Sequence, residues 1–292
     1  MLTPMIPRER LATTPISWGV VGGGRWGVDL ATDRVLDEMS DLGFSAAEIG
    51  VPSFLPDDAG EARALLDRHG MQAVAGAQSL VMHEPSVAGA ELASARHMAA
   101  RLAMLGADVM MTVPKRADLA VGERLDRDGW QRVFAMFAAI DDVLAEHGLR
   151  QALHPHVGSL VEDAADMETV LEGSSVGWCF DTAHVASGGL DPVAFAATCP
   201  RINHFHLKDA RLDLGRAMVS HEVDFPDAIR REVFVPLGDG DLPIPEIVAA
   251  MAGRDDVWWV LEQDQAVPVE PAAGEGPCRA VRRSLDFLAT LG

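Results

Sequence analysis

Apolar residues along this chain recur with two periods, and the two alternate. Leu36, Met39 and Leu42 fall at the spacing of one helix face, Gly43 ends the run, and the short block SAAEIGV follows. The unit then repeats. Leu65 and Leu66 lead to Gly70 and MQAVAGA; Met98, Leu102 and Leu105 lead to Gly106 and ADVMMTV; Val133, Phe137, Ile140 and Leu144 lead to Gly148 and LRQALHPH. A glycine just past each stripe supplies the left-handed cap that turns a helix into the next segment. The blocks are short and almost wholly apolar, as strands of a parallel sheet buried on both faces should be.

The second half continues less regularly, with strands expected in VGWCFDTAH, INHFHLKD and VWWVLEQD. A long connection, residues 210–253, separates the last two and carries FVPLGDGDLP; a helix from Pro277 to Leu291 closes the chain. With PISWGVV as the first strand, residues 1–14 are an N-terminal extension and eight strands result, each followed by a helix or long loop. That is the count of a (β/α)8 TIM barrel, an α/β fold in one domain. A doubly wound sheet shows the same alternation. VVGGGRWG contains Gly22-x-Gly24-x-x-Gly27 after an apolar run, with Glu48 about twenty residues further on, the spacing of a dinucleotide-binding turn. In that fold the helix begins inside the glycine motif. Here WGVDLATD intervenes, and Thr32 or Asp33 is the better N-cap for the stripe starting at Val35.

Charge and composition narrow the partners. The 292 residues are 48% hydrophobic and carry a formal charge of −20, which repels nucleic acid and anionic membrane surfaces. No apolar run reaches the ~18 residues of a membrane span, and the first fifteen residues lack the apolar core of a signal peptide. Cys179, Cys199 and Cys278 form neither a zinc pair nor a disulfide framework, so a reducing, cytoplasmic setting is expected.

The chemistry concentrates at four consecutive strand ends: HPH, FDTAH, HFHLKD and LEQD. Six of the ten histidines lie between His154 and His221. A single strand-end histidine or aspartate is usually a helix cap or is solvated. Four in succession on one barrel rim make a ring of two carboxylates and two imidazoles, the donor set of a divalent-metal site, and the lack of cysteine disfavours a structural zinc. His69 and His147 precede helix-ending glycines, where a partly positive ring favours the helix dipole. His97 reads as a surface residue; His83 and His221 have no assigned role.

HPHVGSLVE, FDTAH, HFHLKD and FVPLGDGDLP…WWVLEQD resemble the xylose-isomerase-like barrels, the sugar isomerase and epimerase superfamily, and within it the inosose dehydratase branch. The resemblance runs from ISWGVVGGGRWG to the C-terminus. It makes VVGGGRWG a loop over the active site. It implies a metal held by Glu, Asp, His and Glu from strands five to eight, matched here by His154, Asp181, His206 and Glu262. The first departs from the pattern, and His156 is its alternative in register. Manganese is the expected ion, with cobalt, iron, magnesium and zinc as alternatives. Losing one glutamate leaves Glu262 as the obvious base, which suits dehydration or isomerisation better than epimerisation.

In the implied reaction Glu262 or His156 takes the proton next to a carbonyl of a polyhydroxy ketone. Lys208 stabilises the enolate or forms a salt bridge with Asp209 or another acid. His184 protonates the departing hydroxyl or caps a helix. Glu48, Lys115 and Glu162 bind substrate hydroxyls or form ion pairs. Trp18 and Trp26 wall the pocket or pack in the core, and Asp239 lies over the mouth or in a capping turn. No cluster of lysine and arginine marks a phosphate pocket, so a neutral sugar is the expected small-molecule partner; a homo-oligomer is possible. Competing readings are an epimerase of the same superfamily, an NAD(P)-dependent dehydrogenase using Gly22, Gly24 and Gly27, and a non-catalytic sugar-binding barrel or subunit of a larger enzyme.

Overall fold

A computed structural model describes residues 6, 8–117, 119, 120, 123–199 and 201–291. Its strands are β1 (Leu11–Thr13), β2 (Ala46–Ala47), β3 (Gln72–Ala73), β4 (Ala75–Leu80), β5 (Val109–Pro114), β6 (Arg150–Leu153), β7 (Trp178–Asp181), β8 (Ile202–Leu207), β9 (Asp209–Ala210), β10 (Phe234–Val235) and β11 (Trp259–Leu261). All pairings of the main sheet are parallel, in the order β3-β2-β1-β11-β8-β7-β6-β5-β4. Only Val74 separates β3 from β4, so these two are one strand and the ring closes on eight, a (β/α)8 barrel.

The helices are α1 (Thr32–Asp41), α2 (Ala59–Arg68), α3 (Ala88–Leu105), α4 (Arg127–Ala145), α5 (Ala164–Gly173), α6 (Thr182–Ser187), α7 (Pro192–Thr198), α8 (Leu212–Val219), α9 (Phe225–Arg230), α10 (Ile244–Met251) and α11 (Pro277–Ala289). Gly43, Gly70, Gly106 and Gly148 all take positive φ where their helices end, as the alternating pattern requires. Two apolar layers result. Leu36, Leu102, Phe137, Phe180 and Phe205 belong to the large cluster between strands and helices. Ala12, Ala46, Val109, Met111, Ala152, Cys179 and Val260 form a second cluster. Their alternation with residues of the first places them inside the barrel.

Three expectations change. PISWGVV is not the first strand. Pro15–Trp18 is a short 3-10 turn ended by Gly19 at φ 75°, and β1 lies earlier, at Leu11–Thr13, inside the supposed extension 1–14. A three-residue strand is too short for any periodic signal, while the proline favours a turn. The connection 210–253 is not an open loop: β10 pairs antiparallel with β9, and α8, α9 and α10 fill the rest. The N-cap of α1 is Ala31 rather than Thr32 or Asp33; the Thr32 hydroxyl donates instead to the Phe54 carbonyl at 2.7 Å.

Candidate metal and proton-transfer site

Strand alternation puts every second side chain of β8 inside the barrel, so His204 and His206 face the axis, with Lys208 next in line, while Phe205 packs outward on Phe180 and Trp259. Register then sets neighbours: Asp181 of β7 lies beside His206, as does Val260 of β11, which places Glu262 one pleat further along the same face. Asp181 is also the N-cap of α6. Its Oδ1 accepts from the His184 amide at 2.8 Å, which fixes the carboxylate and turns Oδ2 inward.

Asp181, His206 and Glu262 each bring a ligand atom to within 4.8 Å of the others. His206 Nδ1 is 2.6 Å from Glu262 Oε2 and 3.6 Å from Asp181 Oδ2. None of these three atoms has an aligned hydrogen-bond partner, and all three are buried. Buried polar atoms without partners each cost about 1–3 kcal/mol. The Lys208 ammonium near the two carboxylate oxygens offsets part of this cost, and a cation among the three atoms would offset the rest. Two carboxylates and one imidazole are a donor set that first-row divalent ions accept, so these residues fit the ion the resemblance implies.

The surroundings orient and balance this set. Glu48 Oε1 is bonded to His206 Nε2 at 2.7 Å and to His204 Nε2 at 2.8 Å. A carboxylate on the far nitrogen of a ligand histidine fixes its ring and tautomer. Burial alone would raise the Glu48 carboxyl, but the two imidazoles hold it well below the usual carboxylate range. Lys208 Nζ donates to Asp264 Oδ2 at 2.6 Å and lies 3.1 Å from Glu262 Oε2 and 3.4 Å from Asp181 Oδ2. Burial opposes its charge, yet Asp181, Asp264 and Glu262 keep the ammonium's pKa well above normal. It also lies 4.5 Å from the Phe234 ring. Burial pushes the Asp264 carboxyl up to about 6, against the lysine.

On the other side of His206 stand three more imidazoles. Ring centroids of His154 and His206 are 5.0 Å apart; His154 is 5.5 Å from both His156 and His184, and these two are 4.4 Å apart. His156 Nδ1 meets the Val157 carbonyl at 2.7 Å; a carbonyl only accepts, so the proton sits on Nδ1 and Nε2 keeps its lone pair. Burial, then repulsion from His206, drives the His154 pKa down to about 3; burial likewise holds His184 well below normal and lowers His156. Above them Phe225 of α9 touches His156 (5.0 Å between centroids) and Trp26 (5.6 Å), and only His156 of the three histidines is half-buried rather than buried.

All four expected ligands lie in one buried neighbourhood. Asp181, His206 and Glu262 converge; His154 stands between sets, with a ligand atom within 4.8 Å of His206 and Cys179 in one grouping and of His156 and His184 in another. Glu48 is buried behind His204 and His206, bonded to both. Trp18 is fully buried and donates from Nε1 to Glu38 of α1 at 2.8 Å, so it is core and not pocket wall; Trp26 is half-buried and packs on Phe225. Lys115 is exposed beyond β5. Glu162 accepts from the Gly158 amide and pairs with Arg116 and with His221, which gives that histidine a partner. Asp239 pairs with Arg283 of α11, away from the cluster; GDGDLP is held by Asp209, whose carboxylate accepts from the amides of Gly238, Gly240 and Leu242. Sequence reasoning missed His204, although it sits two residues from His206 on the same face, and Asp264, which carried no separate signal.

The glycine motif also resolves. Asp29 accepts from the amides of Val21 (2.9 Å), Gly22 (3.2 Å) and Gly24 (2.9 Å), so the amides a pyrophosphate would need already have a carboxylate. Gly22, Gly23, Gly24 and Gly27 all have positive φ, and a Cβ at Gly27 would come within 2.0 Å of the Val267 carbonyl oxygen. The motif is a turn that packs on the loop after β11, and the dehydrogenase reading falls with the open sheet it needs.

Comparison with known proteins agrees with this fold. The rhizopine catabolism protein MocC of Rhizobium meliloti is 28% identical over 268 residues, covering 88% of this chain and 82% of its own. An inosose dehydratase of Geobacillus kaustophilus is 28% identical over 275 residues, covering 88% and 89%. The crystal structure of IolI protein with a bound zinc atom matches with a TM-score of 0.70 at 16% identity over 97% of each chain, a likeness of fold. The model of the family described as xylose isomerase-like TIM barrel matches residues 36–291, and the chain belongs to that family.

Proposed function

We propose that this protein is a divalent-metal-dependent dehydratase acting on a polyhydroxy ketone of the inosose class. The reading rests on one observation: Asp181 Oδ2, His206 Nδ1 and Glu262 Oε2 converge, buried and without aligned hydrogen-bond partners. Full-length similarity to an inosose dehydratase supports the substrate class.

Asp181, His206 and Glu262 would hold the ion, which would supply Lewis-acid polarisation of a ketone oxygen. Glu48 keeps the His206 ring in place from behind. Lys208 offsets the negative charge of the carboxylates and stands ready for charge that develops on the substrate oxygen. His156 presents an Nε2 lone pair at the half-open side, where it takes the proton α to the ketone. The C–H pair becomes the new C=C bond, the β C–O bond breaks, and His184, adjacent to His156, relays the proton to the departing hydroxyl, which leaves as water. The aromatic pair Trp26 and Phe225 roofs the reacting face. Glu262, drawn into the ion site, is thereby a ligand and not the base. Histidine in place of a carboxylate at 154 leaves no second acidic base opposite the first, which favours elimination over epimerisation.

The test is metal analysis and turnover on a panel of inososes and ketohexoses after chelation and re-addition of Mn, Co, Mg or Zn. Metal-dependent appearance of an enone product, lost together with tight Mn binding in Asp181→Asn, is the expected result. Turnover that survives complete metal removal, or an epimerisation rate above the dehydration rate, overturns the reading.

A further inference from the structure

We propose that His154, His156 and His184 form a second divalent-cation site, selective for zinc-like ions, whose occupation arrests the reaction. One ligand nitrogen from each of the three rings lies within 4.8 Å of the other two, and His154, which also reaches His206, joins this cluster to the first site. His154 Nδ1 and His184 Nε2 are buried without a hydrogen-bond partner, and the two residues are 6% and 3% exposed. The lone pair of His156 Nε2 is defined by the Nδ1 bond to Val157. Aromatic packing does not account for this arrangement. Phenylalanine would pack as well and would leave no polar nitrogens stranded, each of which costs about 1–3 kcal/mol. Tetrahedral coordination at ~2.0–2.1 Å sets its ligand nitrogens roughly 3.4 Å apart, a distance that small ring rotations reach from this spacing.

The cluster contains no carboxylate, so it adds no negative charge to attract hard ions. Zinc, cobalt and nickel accept neutral imidazole readily, whereas magnesium and manganese favour oxygen. The two sites thus differ in kind: Asp181, His206 and Glu262 suit either class of ion, while the three-histidine site suits only the softer one. The inhibitory consequence rests on the proposed function, because an ion on His156 and His184 removes the lone pairs that move the proton.

Calorimetric titration of the metal-free protein at pH 7.5, with Zn2+ and separately with Mn2+, tests this. The expected stoichiometry is two tight zinc ions but one manganese per chain. His156→Gln and His184→Asn, each verified as folded by circular dichroism and melting, each bind one zinc and still one manganese. Asp181→Asn keeps one zinc and loses manganese. One zinc per chain in the wild type, or two in both histidine variants, overturns the proposal. Micromolar zinc added to the manganese-loaded enzyme lowers turnover at least tenfold; undiminished turnover with two zinc ions bound overturns the inhibitory part. Two-zinc binding with no inosose turnover under any metal leaves the site standing and rejects the proposed function instead.

Discussion

The glycine-rich loop at residues 20–29 and the strand-end cluster around His206 both carry motifs that suggest a ligand, and they are built in opposite ways. In the loop, three backbone amides point at one place, but Asp29 occupies it. In the cluster, Asp181, His206 and Glu262 bring polar atoms to one place, where they lie near one another and the two carboxylates near the Lys208 ammonium, but none makes an aligned hydrogen bond. The first arrangement is closed by the chain itself; the second keeps hydrogen-bonding capacity open, which the proposed ion takes up. A motif therefore indicates a ligand when its hydrogen-bonding capacity is not satisfied from within the chain, and spacing in the sequence does not report that.

The largest expected effect comes from Glu48. Glu48→Gln keeps the shape but removes the charge that fixes the His206 ring, and the expected loss is about 10–100-fold in metal affinity with the fold intact. Titration with Mn2+ alongside a thermal melt reads both. Unchanged affinity would make Glu48 a packing residue and weaken the contrast. The loop supplies the next effect: Asp29→Ala releases three amides, one of them at the exposed Gly24, and should cost about 1–2 kcal/mol of stability by denaturant unfolding. No nicotinamide binding should appear; binding of the cofactor by this variant would mean the turn is a masked nucleotide site.

The smallest effect is a control outside both regions. Asp141 of α4 has its carboxyl pushed up to about 6 by burial and by the neighbouring Asp142. A raised folded pKa means stability that is fully present below about 4 and lost as the pH climbs through about 6. Asp141→Asn should therefore melt higher than the wild type at pH 8, by about 1 kcal/mol after solvent screening, and no higher at pH 4. A stabilisation equal at both pH values would assign the effect to packing. Unlike the groups around His206, this carboxylate answers to pH without any ion.

How much was legible follows from the range of each interaction. Helix stripes, glycine caps and apolar blocks are local, so the alternation that builds the barrel could be read directly, and the strand ends followed. The three-residue β1 at Leu11–Thr13 carried too little pattern, and the apolar PISWGVV next to it drew the assignment away. His204 was readable in principle from the two-residue period of β8. The partners of Trp18, Glu48, Glu162 and Asp239 were not, because each is reached across the barrel or through a loop.

By itself, the chain's sequence determined an eightfold strand–helix alternation and the crowding of histidine and carboxylate at four successive strand ends, since both depend on residues close in sequence. Only closure of the barrel decided which of those side chains share a point in space. It placed Asp181, His206 and Glu262 together, set His154 between His206 and the pair His156 and His184, and gave the glycine loop to Asp29. Register and burial acting between distant segments make that choice, because they determine which polar atoms find a partner in the chain and which are left facing one another.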